Sequence, residues 1–402
     1  MTGVAVGAEV VRGIRDVEEF ARGCFAPYAG DRVGVELEFL VFDRADPGRH
    51  VPIARIRDAL VAPPGGSRVT FEPGGQVELS GPAARLPEAI AGLEADVAAI
   101  GGALAEAGLV LGGVGLDPVR PPRRQLRTPR YEAMAQFLDP VAGPLMMCST
   151  ASIQVNVDLG GRPARRWERA HVLGPVLMAA FANSPLRQGR PCGWMSGRQE
   201  VWERLDPSRT APVPSPASSF ADPGLDWARY LLDARVMLRR DDDGGCRPVR
   251  DGSTFRDRLA APGPPPTAAD LAYHATTLFP PVRPRGWLEI RYLDAQRLEH
   301  WPVCVAVTHA LVTDDRAADA AMDAAEPYRD LWRDAARCGL AHPGLRRAAD
   351  ACFAAALGAL PRLGAPDGLR ARVAAFADRH VSTGRSPAAD LLDAGRWSSD
   401  GA

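Results

Sequence analysis

Residues 33–43 read VGVELEFLVFD, a run of apolar residues that two carboxylates interrupt. In a β-strand, side chains two positions apart point to the same face of the sheet. Glu36 and Glu38 would therefore share one face, and Leu37 and Phe39 would share the other. The stretch predicts a sheet with an apolar back and an acidic front.

The same alternation recurs in three later segments of the chain. They read FEPGGQVELSGP (71–82), ASIQVNVDL (151–159) and WLEIRYLD (287–294). Their polar positions in strand spacing are Gln76, Glu78, Ser80, Ser152, Gln154, Asn156, Asp158, Glu289 and Arg291. Glu72 comes just before a Pro-Gly-Gly turn, where glycine permits a positive φ. Four separate segments thus predict strands that carry the same kind of polar face.

These polar positions carry several carboxylates and amides but only one cation, Arg291. For any single strand, the solvated face of an antiparallel sheet explains polar residues without a ligand. For the whole set, neighbouring carboxylates would repel one another unless positive charge lay between them. Carboxylate and amide oxygens are hard ligands, and Mg²⁺ is commonly held by a few carboxylates together with nucleotide phosphates. The face is therefore predicted to bind divalent metal ions.

The chain contains no lysine, so all 48 of its basic residues are arginine. This composition excludes a Schiff-base lysine and the lysine of a phosphate-binding P-loop. Arginine would then contact phosphate or carboxylate oxygens through its bidentate fork. Arginine-rich stretches lie at 120–134, 182–202 and 274–291, near the predicted strands. The formal net charge of −1 gives no indication of a nucleic acid partner, so small ligands are expected.

Seven scattered cysteines without a CxxC pair fit neither a disulfide framework nor a zinc site. The N-terminal residues lack the pattern of a secretory signal, and no apolar run is long enough to span a bilayer. We expect a soluble cytoplasmic protein with no membrane partner. Cys148 and His274 are expected to be packing residues without a chemical role.

Strand alternation and helical periodicity are interleaved along the chain. Strands are predicted near 33–43, 68–80, 108–114, 151–159 and 286–293, and a helix is predicted over 86–108. We expect one domain over 1–402, rich in sheet over 30–298 and mostly helical over 299–397. Proline-rich stretches at 209–224 and 261–267 are predicted to be loops, the first long enough to cover a site.

Several strings occur in a characteristic order: GVELEF, EPGGQVELSG, MMCSTASIQVNVD, FANSPLRQGRPCGWMSGR, DPSRT, HATTLFPPVRPRGWLEIRYLD and VSTGRSPAADLL. Together they resemble the plant-type glutamate–cysteine ligases. Within that family the chain is most similar to the actinobacterial branch that starts ergothioneine biosynthesis. The resemblance runs from about residue 30 to about residue 397. It rests on the ordered set, since no single string is specific.

The resemblance implies an α+β fold with a glutamine-synthetase-like antiparallel catalytic sheet, covered by helices, that forms a funnel for ATP and Mg²⁺. It implies that ATP, L-glutamate and L-cysteine give γ-glutamylcysteine, ADP and phosphate. The γ-carboxylate of glutamate would attack the γ-phosphate of ATP to form γ-glutamyl phosphate, and the amine of cysteine would then displace phosphate. Metal ions would offset the charge that builds on the transferring phosphoryl group.

Matched position by position, the functional residues of the family fall on the polar face and in the arginine-rich stretches. The resemblance implies metal ligands at Glu36, Glu38, Glu78 and Glu289, with Glu72 as a further candidate. It implies nucleotide contacts at Gln154 and Asn156, catalytic roles for Arg291 and Glu289, and substrate-binding roles for Arg198, Arg283 and Arg285. We also expect removal of one carboxylate, at Glu36 or Glu289, to relieve repulsion and leave the fold intact.

Three alternatives remain open at this stage. A ligase of the same kind could use an amine other than L-cysteine, because Ser149 stands where plant relatives carry a basic residue. A guanidino-kinase-like phosphotransferase shares the sheet type, although the reactive-cysteine loop of that family is absent. A binding protein without catalysis is the third alternative, and the retained acids and Arg291 count against it.

Overall fold

The computed structural model describes residues 9–27, 30–213, 220–241, 244–395 and 397. The strands in these ranges are β1 (Val33–Asp43), β2 (Arg68–Phe71), β3 (Val77–Ser80), β4 (Leu109–Gly112), β5 (Ser152–Val157), β6 (Leu186–Arg187), β7 (Arg190–Pro191), β8 (Leu238–Arg240), β9 (Cys246–Pro248), β10 (Val282–Pro284) and β11 (Leu288–Asp294). Each of the five predicted strand regions contains at least one of them. The region 68–80 divides into β2 and β3.

Helices make up most of the described chain after residue 299. Before it lie α1 (Ile14–Gly23), α2 (Ile53–Ala59), α3 (Leu86–Glu106), α4 (Pro129–Phe137), α5 (Ala142–Ser149), α6 (Pro163–Val172), α7 (Gly174–Ala180), α8 (Gly197–Glu203), α9 (Pro207–Thr210), α10 (Pro223–Asp233), α11 (Phe255–Ala260) and α12 (Ala268–Ala275). After it come α13 (Trp301–Thr313), α14 (Asp315–Ala325), α15 (Trp332–Cys338), α16 (Pro343–Ala359), α17 (Asp367–Phe376) and α18 (Pro387–Asp393). Short 3-10 turns lie at Glu326–Tyr328 and Gly339–Ala341, and a π-helical turn lies at Ala377–Val381. The predictions of a helix over 86–108 and of a mostly helical last quarter are confirmed.

Seven of the strands form one sheet, in the order β10-β11-β5-β1-β3-β2, with β4 paired to the second half of β1. All of these pairings are antiparallel. Glu38 of β1 lies opposite Glu78 of β3, and Glu36 lies opposite Gln154 of β5. On the next pairing, Glu289 of β11 lies opposite Asn156 of β5. The register therefore brings the four polar faces side by side.

The back of this sheet belongs to the largest hydrophobic core. Leu37 and Phe39 of β1, Val155 of β5 and Ile290 of β11 are each at most 1% exposed. Helices α3, α13 and α7 pack on β1, β5 and β11 respectively. The same core extends to residues of α16 and α17. The predicted fold class, an α+β chain whose antiparallel sheet is covered by helices, is confirmed.

A tight turn joins β2 to β3 and positions Glu72. The Gly75 N–H donates to the Glu72 carbonyl at 2.8 Å, and the Glu72 N–H donates to the Gln76 carbonyl at 2.9 Å. Gly75 has a φ of +96°, a conformation that side chains rarely adopt. A Cβ on Gly74 would lie 2.2 Å from the carbonyl oxygen of Cys148, so only glycine fits there. The predicted Pro-Gly-Gly turn is confirmed.

Both proline-rich stretches lie between helices. Residues 261–267 separate α11 from α12, as predicted. The stretch 209–224 begins at the end of α9 and finishes in the first turn of α10. The middle of that stretch, residues 214–219, where a site-covering loop is predicted, lies outside the described residues. No helix among the described residues is long and apolar enough to cross a membrane.

Candidate active site

The polar front of the sheet lines a cavity of about 250 Å³. Its wall contains all but one of the site residues predicted from the sequence, namely Glu36, Glu38, Glu72, Glu78, Gln154, Arg198, Arg283, Arg285, Glu289 and Arg291. The exception is Asn156, which lies beside the wall. Its Nδ2 donates to Glu36 Oε1 at 3.2 Å, and its Oδ1 accepts from Trp287 Nε1 at 3.0 Å. Asn156 therefore supports Glu36 from the neighbouring strand.

One part of the cavity wall carries carboxylates whose negative charge the neighbouring arginines offset only in part. Burial, followed by the negative charges of Glu289 and Glu78, raises the pKa of Glu36 to about 7. Burial, followed by the charges of Glu38 and Glu78, raises the pKa of Glu72 to about 8. Burial and the charge of Glu78 also raise the pKa of Glu38. Each shift disfavours the charged form, as expected where like charges crowd together.

Hydrogen bonds hold two of these acids in place. Glu38 accepts from the Ser152 N–H at 2.8 Å and from Gln154 Nε2 at 3.0 Å. Thr70 Oγ1 donates to Glu78 Oε1 at 2.6 Å. Across the described part of the chain, no group of three or more His, Cys, Asp or Glu side chains is placed so that it could hold a metal ion. The acids thus form one charged wall, without the close convergence of a preformed metal site.

The other side of the cavity carries arginines that converge on Glu289, which is 1% exposed. Arg283 Nε donates to Glu289 Oε2 at 2.6 Å, and Arg283 Nη2 donates to Oε1 at 3.2 Å. Arg285 Nη1 donates to Oε1 at 3.0 Å, and Arg291 Nη1 donates to Oε2 at 3.0 Å. Burial alone would raise the pKa of Glu289, but the charges of Arg283 and Arg291 outweigh it and hold the pKa well below its usual range. Glu289 is therefore a carboxylate with three cationic partners.

This environment argues against the expectation that removing Glu289 would leave the fold intact, although Glu289 does add to the repulsion at Glu36. The expectation rested on treating Glu289 as one more acid on a crowded face. Its nearest charged partners are arginines, because β10 pairs with β11 and places Arg283 directly opposite Glu289. Sequence spacing alone does not identify that pairing.

Arg198 enters the cavity wall from the start of α8 and is 3% exposed. Its Nη2 donates to the Arg291 carbonyl at 2.8 Å. Its Nη1 is buried and has no hydrogen-bond partner among the described residues. A buried guanidinium nitrogen without a partner is uncommon and calls for a ligand or another explanation. The predicted substrate-facing arginine thus has one donor nitrogen left unsatisfied.

A third side of the cavity was not predicted. It is formed by Arg130, Tyr131 and Met134 of α4, Met146 and Met147 of α5, Trp202 of α8, and Thr276 and Phe279 near the end of α12. The arginine-rich stretches 120–134, 182–202 and 274–291 include several of these positions, but the sequence singled out none of them as a site residue. Methionine and aromatic residues carry no signature of their own, because the same residues fill ordinary cores.

His274 and Cys148, two residues of chemically reactive types, are buried. His274 is 3% exposed, its Nε2 lies 3.0 Å from the Leu231 carbonyl, and its ring stacks on Phe255. Burial lowers the pKa of His274 to about 3, so the ring stays neutral. Burial raises the pKa of the Cys148 thiol to about 12. The predicted packing roles of both residues are confirmed.

We expect Glu36→Gln to gain stability relative to the wild-type protein as pH rises from 5 to 8 in EDTA. The folded wild-type protein keeps a proton on Glu36 up to about pH 7, whereas an unfolded chain loses it near the ordinary pKa of about 4.3. The contribution of Glu36 to wild-type stability must therefore fall through this window, by about 1–2 kcal/mol after allowance for partial exposure. Denaturant unfolding measures the difference, and the buried histidines cancel because both proteins share them. A difference in unfolding free energy between the two proteins that does not change with pH would contradict the prediction.

We expect Glu289→Ala to lower the free energy of unfolding by about 3–5 kcal/mol, because it leaves Arg283, Arg285 and Arg291 without their shared carboxylate. The matched control is Glu299→Ala, since Glu299 is exposed and its nearest arginine is 3.8 Å away. The control should change stability by less than about 0.5 kcal/mol. Urea denaturation compares the two variants, and equal stability would refute the three-arginine arrangement.

Comparison with known proteins places the chain in a family. A family model described as glutamate-cysteine ligase family 2 matches residues 32–402. The glutamate–cysteine ligase EgtA of Mycobacterium tuberculosis is 45% identical over 94% of this chain and 89% of that protein. A chloroplastic glutamate–cysteine ligase of Arabidopsis thaliana is 30% identical over 83% of this chain and 67% of that protein.

A solved structure of a more distant protein has a similar fold. The crystal structure of a glutamate–cysteine ligase from Francisella tularensis in complex with AMP matches with a TM-score of 0.51 at 12% identity. The match covers 92% of this chain and 85% of that one, and at this identity the likeness concerns the fold alone. The family matches, in contrast, rest on similarity of amino-acid sequence. The resemblance predicted from the ordered strings is confirmed, and the chain belongs to the glutamate–cysteine ligase family 2.

Proposed function

We propose that the protein joins the γ-carboxylate of L-glutamate to the amine of L-cysteine, with conversion of ATP to ADP and phosphate. Relatives at 45% and 30% identity are named glutamate–cysteine ligases, which supports this reaction. The observation that carries the proposal is a single cavity that is lined both by carboxylates and by arginines. An acidic wall suits the cations that accompany ATP, and arginines suit anionic substrates.

The sheet is proposed to form a glutamine-synthetase-like funnel that binds ATP with Mg²⁺. A fold neighbour that was crystallised with AMP supports a nucleotide site. Ligands for the cation would come from among Glu36, Glu38, Glu72 and Glu78 together with the phosphates of ATP, because positive charge among these acids would relieve the repulsion that raises the pKa of three of them. When bound, Mg²⁺ would neutralise charge on the transferring phosphoryl group.

Gln154 and Asn156 remain proposed nucleotide contacts from the centre of the funnel. Gln154 lies between the two walls, since its Nε2 donates to Glu38 and its Oε1 accepts from Arg291 Nη1 at 2.7 Å. Asn156 is bonded to Glu36. Gln154 therefore links Glu38 to Arg291, and Asn156 links Glu36 to Trp287.

The arginines are proposed to orient the reacting anions. Arg291 is fixed by Gln154 on one side and Glu289 on the other, so its guanidinium is oriented before a ligand arrives. It would contact the phosphoryl group or the glutamate carboxylate. Arg283 and Arg285 would bind substrate oxygens. The proposed catalytic role of Glu289 is to hold these arginines in place. A metal contact by Glu289 would require the metal ion to replace one or more of its arginine partners.

The reaction is proposed to pass through γ-glutamyl phosphate, which water would destroy. Met134, Met147, Trp202 and Phe279 form the less polar wall of the cavity and would restrict the access of water to such an intermediate. The cysteine amine would then take the acyl group and release phosphate. Residues that select cysteine over another amine are expected on this wall.

The same family membership underlies three broader proposals. The chain would work as one catalytic domain over 1–402, because the helices after residue 299 share a core with the sheet. Its substrates, L-glutamate, L-cysteine and ATP, are small molecules of the cytoplasm, where we place the protein, with no nucleic acid or membrane partner. Its product would enter ergothioneine biosynthesis, as the actinobacterial branch of the family implies.

The direct test is ADP release by the purified protein with ATP, Mg²⁺ and L-glutamate, with and without L-cysteine, followed by mass spectrometry of the products. We expect ADP release that depends on cysteine, together with the mass of γ-glutamylcysteine. ADP release that depends on another amine would show that the acceptor is not L-cysteine. The absence of turnover with any amine would refute the ligase function.

We expect Glu38→Gln to lower kcat/KM by about 10²–10³-fold, because it removes a charge from the proposed cation site. The Mg²⁺ concentration needed for half-maximal rate should rise at the same time. The matched control is Glu88→Gln on the exposed face of α3, which should behave as the wild-type protein. A wild-type rate and Mg²⁺ dependence in Glu38→Gln would exclude Glu38 from the cation site.

A further inference from the structure

Three motifs of the sequence meet at a buried residue outside the cavity, Asp294. The motif ANS (182–184) contributes the Asn183 N–H, which donates to Asp294 Oδ2 at 2.8 Å, and Ser184 Oγ, which donates to the same oxygen at 2.7 Å. The motif SGR (196–198) contributes Ser196 Oγ, which donates to Asp294 Oδ1 at 2.9 Å. Asp294 itself ends β11 and is 2% exposed. None of these contacts involves the predicted catalytic acids.

Hydrogen bonds and the charge of Arg198 favour the carboxylate anion of Asp294, whereas burial raises the pKa of this carboxyl. Ser184 Oγ accepts from the Arg198 N–H at 3.1 Å, and Ser196 Oγ accepts from the Gln199 N–H at 3.3 Å. Each hydroxyl donates its own proton to Asp294. Both carboxylate oxygens therefore accept hydrogen bonds, which stabilise the charged form.

The carboxylate of Asp294 lies beside the guanidinium of Arg198. Asp294 Oδ1 is 3.9 Å from Arg198 Nη1, close enough for charge attraction but too far for a hydrogen bond. A Cβ on Gly115 would lie 2.6 Å from the carboxyl carbon, so the backbone packs tightly against Asp294 and limits its movement. Nη1 consequently keeps its hydrogen-bonding capacity while its charge is balanced. Nη2, in contrast, is bonded to the Arg291 carbonyl.

We propose that Asp294 is a positioning residue that holds Arg198 so that Nη1 binds a carboxylate oxygen of an amino-acid substrate. The inference rests on the ligase function proposed above and adds a residue that does not line the cavity. Asp294 acts through two routes: its charge balances the guanidinium, and Ser184 ties its carboxylate to the backbone of Arg198. A carboxylate ligand fits this arrangement because it would satisfy Nη1, a buried nitrogen without a hydrogen-bond partner among the described residues.

The test is a double-mutant cycle with Asp294→Asn and Arg198→Lys, in which KM is measured separately for L-glutamate, L-cysteine and ATP. Asp294→Asn should raise the KM of one amino-acid substrate about tenfold when Arg198 is present and less than about twofold in the Arg198→Lys background. The KM for ATP should not change. An equal rise in both backgrounds, or a rise in the KM for ATP, would overturn the positioning role.

Asp96→Asn is the matched control for a general loss of structure. Asp96 is fully buried, does not line the cavity, and accepts from Gly65 N–H, from Ser67 N–H at 3.0 Å and from Ser67 Oγ at 2.5 Å. It should lose thermal stability as Asp294→Asn does, with every KM unchanged. A KM change of equal size in the control would attribute the effect at Asp294 to general destabilisation.

Ser184→Ala keeps the test decisive if Asp294→Asn does not fold. It removes the link between the carboxylate and the Arg198 backbone but retains the charge. We expect a smaller rise in the same amino-acid KM, and an unchanged KM would overturn the inference. Failure of the proposed function is distinguishable, because the wild-type protein would then show no cysteine-dependent ADP release before any variant is compared.

Discussion

The register of β1 between β3 and β5 is the constraint on which the candidate site depends. It places Glu38 opposite Glu78 and Glu36 opposite Gln154. A slip of one residue would turn the acids into the core and Leu37 into the cavity, because side chains alternate along a strand. Since an unpaired carboxylate in an apolar core costs several kcal/mol, the hydrophobic back of the sheet enforces the arrangement on its front.

The two walls of the cavity differ in how their buried charges are balanced. On the arginine wall, Glu289 has three cationic partners inside the protein. On the acidic wall, the raised pKa values of Glu36 and Glu72 mark charge that the arginines of the chain neutralise only in part. The first wall is therefore stable without ligands. The second wall gains from a bound cation, which links the electrostatics of the fold to the proposed use of Mg²⁺ with ATP.

Much of this site could be predicted from alternation and from the ordered strings, because both report which face a side chain occupies. Alternation does not specify which strand lies beside which, and the partners of Glu289 were missed for that reason. The contact between Asp294 and Arg198 joins residues almost a hundred positions apart, through loops whose paths depend on packing. The methionine and aromatic wall was also missed, because its residue types are those of any hydrophobic core.

The central claim, that a carboxylate is activated by phosphoryl transfer in this cavity, is tested most directly by isotope transfer. The protein would turn over L-glutamate labelled with ¹⁸O in its γ-carboxylate, together with ATP and L-cysteine, and the phosphate released would be analysed by mass spectrometry. Transfer of one labelled oxygen to each phosphate is predicted, because the oxygen that attacks ATP leaves with phosphate when the amine displaces it. Phosphate that contains no label, with γ-glutamylcysteine still formed, would contradict activation through γ-glutamyl phosphate.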